Sequence, residues 1–447
     1  MTAPRPTPDP TPDPSAVPPG VWRSSLQMVA GRFAGGAATA LELVCAARIL
    51  PGADFGRWTF LLAALLLVES ISDLGTGAAA LQRGANDEGA FARALNAARR
   101  TRFATVSLAA LLLFSFGLSL GEDPRWIGLA CLLPLSRIPE TSGLVFQRAL
   151  QWGPLVAARG IGALARGIAV PLLLFLGVRD ISLLLAAHAG GLALGNVLVH
   201  LAAKSRGLLP QDRSHSLALW RLALPLGCAA LTHQAALYAD NWILRSIRGE
   251  VELGQYNAAA RIASFLLMFA ANAGTVALPW LAGKNRTGQL GDATAALTRG
   301  LLIPAALILG VLMPQADLLL GWAFGESFGS AATSLRVLLL GALVVSATTG
   351  WLTALVATGA GRSVLLLTGC ALLANVIGNL ALVPHFGGIG AAGATLGTEL
   401  LLSGGAWVIL RAQGRAPRVA GSHWIRALAV FVIAVLLSAA LRALLTP

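Results

Sequence analysis

The chain has 447 residues, 56% of them hydrophobic and only 12% charged, with a formal net charge of +13. A soluble domain carries about a quarter charged residues, so the polar surface needed to cover a water-facing globule is missing. The basic excess is almost all arginine, with Lys204 and Lys284 the only lysines. Most of it lies in short segments beside apolar runs, which argues against a nucleic-acid partner.

The opening stretch "MTAPRPTPDPTPDPSAVPPG" is proline-rich and lacks an apolar core. Residues 1–24 therefore read as a disordered, polyproline-prone cytoplasmic tail and not as a signal peptide. Thirteen apolar spans follow, at 25–47, 57–81, 103–120, 126–147, 153–177, 181–203, 218–243, 255–282, 297–319, 330–357, 363–383, 387–410 and 424–443. Each is near the ~20 residues that carry a helix across a bilayer core. Backbone groups in lipid must be satisfied within their own segment, which makes each span a helix. The predicted fold is an all-α polytopic membrane protein. Of the cationic side chains between spans, 20 fall on the side of the N-terminus and 7 on the other. This places the N-terminus inside. Cys45, Cys131, Cys228 and Cys370 are isolated in apolar segments. No metal-ligand spacing occurs, so neither a metal nor a cofactor is expected.

An internal echo divides the chain. "ADFGRW" at 53–58 follows the first span and "VELGQY" at 251–256 follows the seventh, which aligns Gly56 with Gly254 and Trp58 with Tyr256. An even number of spans separates them, so both halves start inside and are related by a pseudo-twofold axis along the membrane normal. The expected organisation is an N-lobe at 25–203, a cytoplasmic connection at 204–217, a C-lobe at 218–410, and a basic loop with an extra helix at 411–447. No inter-span loop is long enough for an independent catalytic module, so no enzyme activity is expected and function must lie among the helices.

Several segments carry a family resemblance. "ARILPGADFGRWTFLLAALLLVESISDLGTGAAALQ" at 47–82 ends in a D-x-G-x-x-x-A pattern at Asp73, Gly75 and Ala79. "YADNWILRSIRGEVELGQYNAAARIASFLLMF" at 238–269 combines acidic residues with G-x-Y and A-x-R-I patterns. With "FGESFGSAATSLRVLLLG" and "LVPHFGGIGAAGATLGTELL", these resemble the polysaccharide and O-antigen flippases of the MOP superfamily, relatives of the MATE exporters. The resemblance covers roughly 25–410. It implies two six-helix lobes in a V around a central cavity. It also implies transport of a polyprenyl-pyrophosphate-linked oligosaccharide from the cytoplasmic to the outer leaflet of a bacterial inner membrane, serving polysaccharide biosynthesis. The implied partners are the lipid-linked glycan, the bilayer and polysaccharide polymerase machinery. Relatives commonly have twelve or fourteen helices, so a thirteenth span departs from the pattern.

The residues themselves suggest where such a substrate would bind. Charges inside a membrane face partners or wet cavities. Arg159 and Arg166 are seven apart on one face of the fifth span, with no acid in that segment. Paired guanidiniums suit a pyrophosphate through bidentate hydrogen bonds; pairing with acids of other helices is the alternative. Arg32 sits among small residues of the first span that permit close helix approach, and Arg32 and Arg261 join Arg159 and Arg166 as candidates for binding the pyrophosphate, with structural pairing the alternative for Arg32. Arg261 lies one turn after Asn257, and with Asp240 and Asn241 the two form a candidate polar cavity lining. Asp73, Asp240, Asn241, Asn257 and Glu399 are the candidates for polar lining or ion coupling. Arg137 and Glu140 are three apart and close enough to satisfy each other. The readings left open are a lipid II flippase, a cation-coupled multidrug exporter and, less favoured, a membrane glycosyltransferase or ligase.

Overall fold

Helices build nearly all of the described residues, and glycines mark several of their breaks and close contacts. The computed structural model describes residues 19–83, 88–119, 138–149, 151–210, 219–417, 419 and 421–445, and no strand occurs among them. The first half contributes α1 (Pro19–Ile49), α2 (Gly52–Asp73), α3 (Thr76–Arg83) and α4 (Glu88–Ser119). A 3-10 turn (Ile138–Ser142), α5 (Gly143–Arg148), α6 (Trp152–Phe175) and α7 (Ile181–Ser205) complete it. The second half holds α8 (Leu219–Arg286), α9 (Leu290–Leu312), α10 (Ala316–Phe324), a 3-10 turn (Glu326–Ala331), α11 (Ala332–Ala357) and α12 (Gly361–Ala412). The last element is α13 (Gly421–Leu445).

Helix α1 starts at Pro19, so residues 19–24, read from the sequence as part of a disordered tail, are helical. The elements otherwise match the predicted spans with three adjustments. The second span is broken, because Leu74 (φ 42°) and Gly75 (φ 72°) take left-handed conformations between α2 and α3. The fourth span begins in residues outside those described and ends in the short α5. The ninth crosses from α9 into α10 at a turn around Pro314. The long α8 and α12 are each two spans in series: Gly249 (φ 82°) and Gly387 (φ 55°) interrupt them where the sequence predicts outer turns. Among the described residues, six helical segments are long and apolar enough to cross a membrane by length and composition.

Close helix approach rests on small residues, as expected where lipid removes the hydrophobic drive between helices. A Cβ on Gly162 of α6 would come 2.5 Å from the carbonyl oxygen of Gly191 in α7, and Gly195 lies beside the same contact. The echo seen in the sequence is also a packing relationship. A Cβ on Gly56 would overlap the carbonyl oxygen of Glu250, and one on Gly254 would come 3.2 Å from the Gly56 nitrogen. Thr59 and Asn257, 198 positions apart like the two glycines, are hydrogen-bonded at 3.0 Å. Helix α2 and the limb of α8 after Gly249 therefore cross at their outer ends, where equivalent residues of the two halves meet. At the inner end α2 meets the other limb of α8. A Cβ on Gly227 would come 2.5 Å from the Leu74 carbonyl. The largest core follows this seam, with Phe55 and Trp58 from the first half against Leu253, Phe324, Phe328 and Leu335 from the second.

Helix α13 docks on α9 and is pinned at its end. Arg442 donates to both carboxylate oxygens of Asp317, at 2.6 and 2.5 Å, and to Pro314 O. Gln315 Nε2 donates to the backbone and hydroxyl oxygens of Ser438, both at 3.0 Å.

Candidate functional site

A cavity of about 120 Å³ lies in the seam between the halves. Leu43 and Thr59 line it from the first half; Asp240, Asn241, Tyr256, Asn257, Arg261 and Ser264 line it from the second. Four of the residues singled out in the sequence thus converge, because Asp240 and Asn241 lie on the limb of α8 before Gly249 while Asn257 and Arg261 share a face of the limb after it. Asp240 is buried and held by neutral donors: Tyr256 Oη donates to its Oδ2 at 2.5 Å and the Asn241 backbone N–H to its Oδ1 at 2.8 Å. Among the described residues no cation stands within salt-bridge distance of Asp240, and the Asn241 side-chain oxygen is buried without a hydrogen-bond partner. Arg261 is half-buried, and no described carboxylate lies within 4.0 Å of it. The seam therefore presents a cation, a carboxylate and amide groups to one polar space.

Arg159 and Arg166 line a different pocket, about 390 Å³, between α1, α6 and α7. The sequence placed no acid beside them, but the fold supplies one to each. Arg159 donates to Glu140 of the first 3-10 turn at 2.9 Å. Arg166 is buried and donates to Glu42 at 2.6 Å, to Gly35 O at 2.9 Å and to Thr39 Oγ1 at 2.8 Å. Glu42, wholly buried, also contacts His188 Nδ1 at 2.6 Å. Reading along one helix missed these carboxylates, which come from other elements; desolvation makes an unpaired buried charge costly enough to demand them.

The remaining candidates are dispersed. Asp73, at the end of α2, pairs with Arg102 at 3.1 Å, and Arg102 also reaches Glu140 at 3.3 Å. Arg102 and Arg159 both engage Glu140; Arg137, expected from the sequence to pair with it, lies outside the described residues. Glu399 is half-buried on α12 beside Thr398, which accepts from Asn375 at 3.3 Å, and it lines neither cavity. Arg32 belongs to α1, but its side chain is outside what the structure describes.

The sequence held a signal for the residues it did not assign. Carried back along the chain, the offset of 198 pairs Glu42 with Asp240. Each carboxylate precedes by 16 positions an aromatic on the next helix, Trp58 and Tyr256 respectively. The two halves have diverged at this point: Glu42 is neutralised by Arg166, while Asp240 has a phenol.

At the end of the seam predicted from the sequence to face outward, the two halves are in contact. Arg57 donates to Glu250 at 3.1 Å and Arg245 to the same oxygen at 2.8 Å, and the Arg245 guanidinium lies 4.1 Å from the Phe60 ring centroid. Phe55 sits edge-on to Phe328 at 5.2 Å and tilted to Phe324 at 6.4 Å. Arg48 reaches across to the carbonyl of Ala323 at 3.1 Å.

Comparison with known proteins agrees with this architecture. The structure of the lipid II flippase MurJ in an inward closed conformation is similar with a TM-score of 0.67, at 12% identity, over 95% of this chain and all of that one. An inward-facing multidrug resistance MATE family transporter of the MOP superfamily gives 0.66 at 16% identity over 85% and 95%. A MOP superfamily transporter from Pyrococcus furiosus gives 0.60 at 15% identity over 92% and 96%. No curated protein matches significantly in sequence. The profile of a family described as polysaccharide biosynthesis protein matches residues 21–283, more than half of the chain. The chain belongs to that family, and it shares the fold of these multi-pass membrane proteins.

Proposed function

We propose that the protein moves a polyprenyl-pyrophosphate-linked oligosaccharide from the cytoplasmic to the outer leaflet of a bacterial inner membrane by alternating access. The observation that carries this reading is Arg261. It is a half-buried cation with no described carboxylate partner, set in the seam cavity beside the amides of Asn241 and Asn257. A guanidinium offers a bidentate fork to phosphate oxygens, and amides offer both donors and acceptors to sugar hydroxyls. The prenyl tail stays in lipid while the head group occupies the seam. Arg159 and Arg166 contribute a polar wall to the neighbouring pocket, with their charge already offset by Glu140 and Glu42. Polysaccharide polymerase machinery would take the flipped product.

Asp240 favours a second reading alongside the first. A buried carboxylate satisfied by neutral donors, next to an amide oxygen without a partner, is suited to hold a cation or proton. This fits an ion-coupled cycle, whether the cargo is a glycolipid, lipid II or a small molecule.

Depleting the protein in its host and following lipid-linked oligosaccharide by pulse labelling tests the proposal. Accumulation of the full-length intermediate, cleared by the wild-type chain and not by an equally expressed Arg261→Ala variant, is expected. Normal turnover of the intermediate in depleted cells would overturn it.

A further inference from the structure

We propose that the groove between α9, α11, α12 and α13 is a site for a resident anionic phospholipid, with one acyl chain in the groove and its phosphate at Arg411. The inference does not depend on what the protein transports. The groove is a cavity of about 440 Å³, within the roughly 300–1,000 Å³ of small-molecule sites. Leu302 of α9, Leu343 of α11 and Phe431 of α13 line its deep end, and Trp351 and Trp424 frame the other. Its two hydroxyl side chains are satisfied within the protein. Thr348 donates to Val344 O at 2.8 Å, which leaves the Ser403 hydroxyl to donate to Thr348 Oγ1 at 2.7 Å. Leu400 and Leu428, also in the wall, are 53% and 62% exposed, so the groove is open along its side.

Length, polarity and charge select the occupant. From Leu343 to Trp351 the wall runs about 12 Å along α11 at the helical rise, close to the ~15 Å of one leaflet in a bilayer core of ~30 Å. A phospholipid acyl chain spans one leaflet, whereas a long polyprenyl chain overruns it. At the tryptophan end, Trp351 and Trp424 meet edge to face with centroids 6.3 Å apart, and indole rings favour the membrane interface. The Trp351 Nε1–H is buried and has no acceptor among the described residues. An ester carbonyl of a lipid at that level supplies one, as a buried indole N–H requires. Leu400, Gly404, Trp407 and Arg411 follow one another at turn spacing along α12, so Arg411 stands beyond the tryptophan end. Its guanidinium lies 5.0 Å from the Trp407 ring centroid. The side chain is exposed and enters no salt bridge among the described residues. The loop arginines of the sequence put this end on the cytoplasmic side, where anionic head groups attract basic residues next to a membrane helix.

The test uses the purified full chain, delipidated in detergent and titrated separately with dioleoylphosphatidylglycerol and dioleoylphosphatidylcholine. Bound lipid is counted by native mass spectrometry, with the melting temperature read alongside. One phosphatidylglycerol is expected to bind at several-fold lower concentration than phosphatidylcholine and to raise the melting temperature. Arg411→Gln should make the two lipids bind equally. Gly404→Leu, at a groove position where a Cβ meets nothing within 4 Å, should fill the groove and abolish the adduct while leaving the lipid-free melting temperature near that of the wild type. Should that variant express poorly, the exposed Arg411→Gln still decides the matter. Equal binding of both phospholipids by the wild type, a preference retained by Arg411→Gln, or an adduct retained by folded Gly404→Leu overturns the site. So does displacement of bound phosphatidylglycerol by an equal concentration of undecaprenyl phosphate, which would assign the groove to the polyprenyl chain. The assay contains no glycan, so its failure leaves the transport proposal to the depletion experiment.

Discussion

Glu42 holds two partners at once, Arg166 and His188, in a site closed to solvent. Glu42→Gln leaves Arg166 buried without a counter-charge, which costs on the order of 3–5 kcal/mol when a buried pair is broken from one side. A markedly lower melting temperature in detergent is expected, and an unchanged one would mean that the pair does not hold α1 to α6. Asp240→Asn should behave differently. That carboxylate has no described cation partner, so removing its charge relieves desolvation while keeping an acceptor for Tyr256 and Asn241. Stability equal to or above wild type is expected in the same assay, together with loss of transport if the charge serves coupling. A melting temperature depressed as far as that of Glu42→Gln would show that an additional cation stabilises Asp240.

At the scale of elements, glycine governs both contact and interruption. Gly162 and Gly191 allow α6 and α7 to touch at backbone distance, and overpacking such a contact costs about 1–3 kcal/mol or more. Gly162→Leu should reduce folded yield, whereas the same change at Gly160, which faces open space, should not; equal yields would contradict the packing described. Helix α13 depends on a different device, the bidentate Arg442–Asp317 contact. Asp317→Asn should raise hydrogen exchange in the last turns of α13 and leave α6 and α7 unaffected. Exchange unchanged in α13 would assign its docking to the Ser438 hydrogen bonds and apolar contact with α9.

Across the whole molecule, apolar run length made the helices legible in sequence. The breaks within α8 and α12 fall where short loops were expected, because Gly249 and Gly387 supply positive φ at those joints. The kink at Leu74 was hidden, since a leucine in the left-handed region has no composition signal. Convergence of Asp240, Asn241, Asn257 and Arg261 was visible because they flank a single turn. The partners of Arg159 and Arg166 were not, because Glu140 and Glu42 are distant in sequence and reach them only through helix packing. The account's central claim is that the seam cavity binds a pyrophosphate-linked glycolipid through Arg261. Native mass spectrometry of gently purified wild-type protein and of Arg261→Ala tests it most directly. The account predicts a co-purifying polyprenyl pyrophosphate bearing sugars on the wild type and its loss from the variant; equal retention of that lipid by both, or only ordinary phospholipid on the wild type, would contradict it.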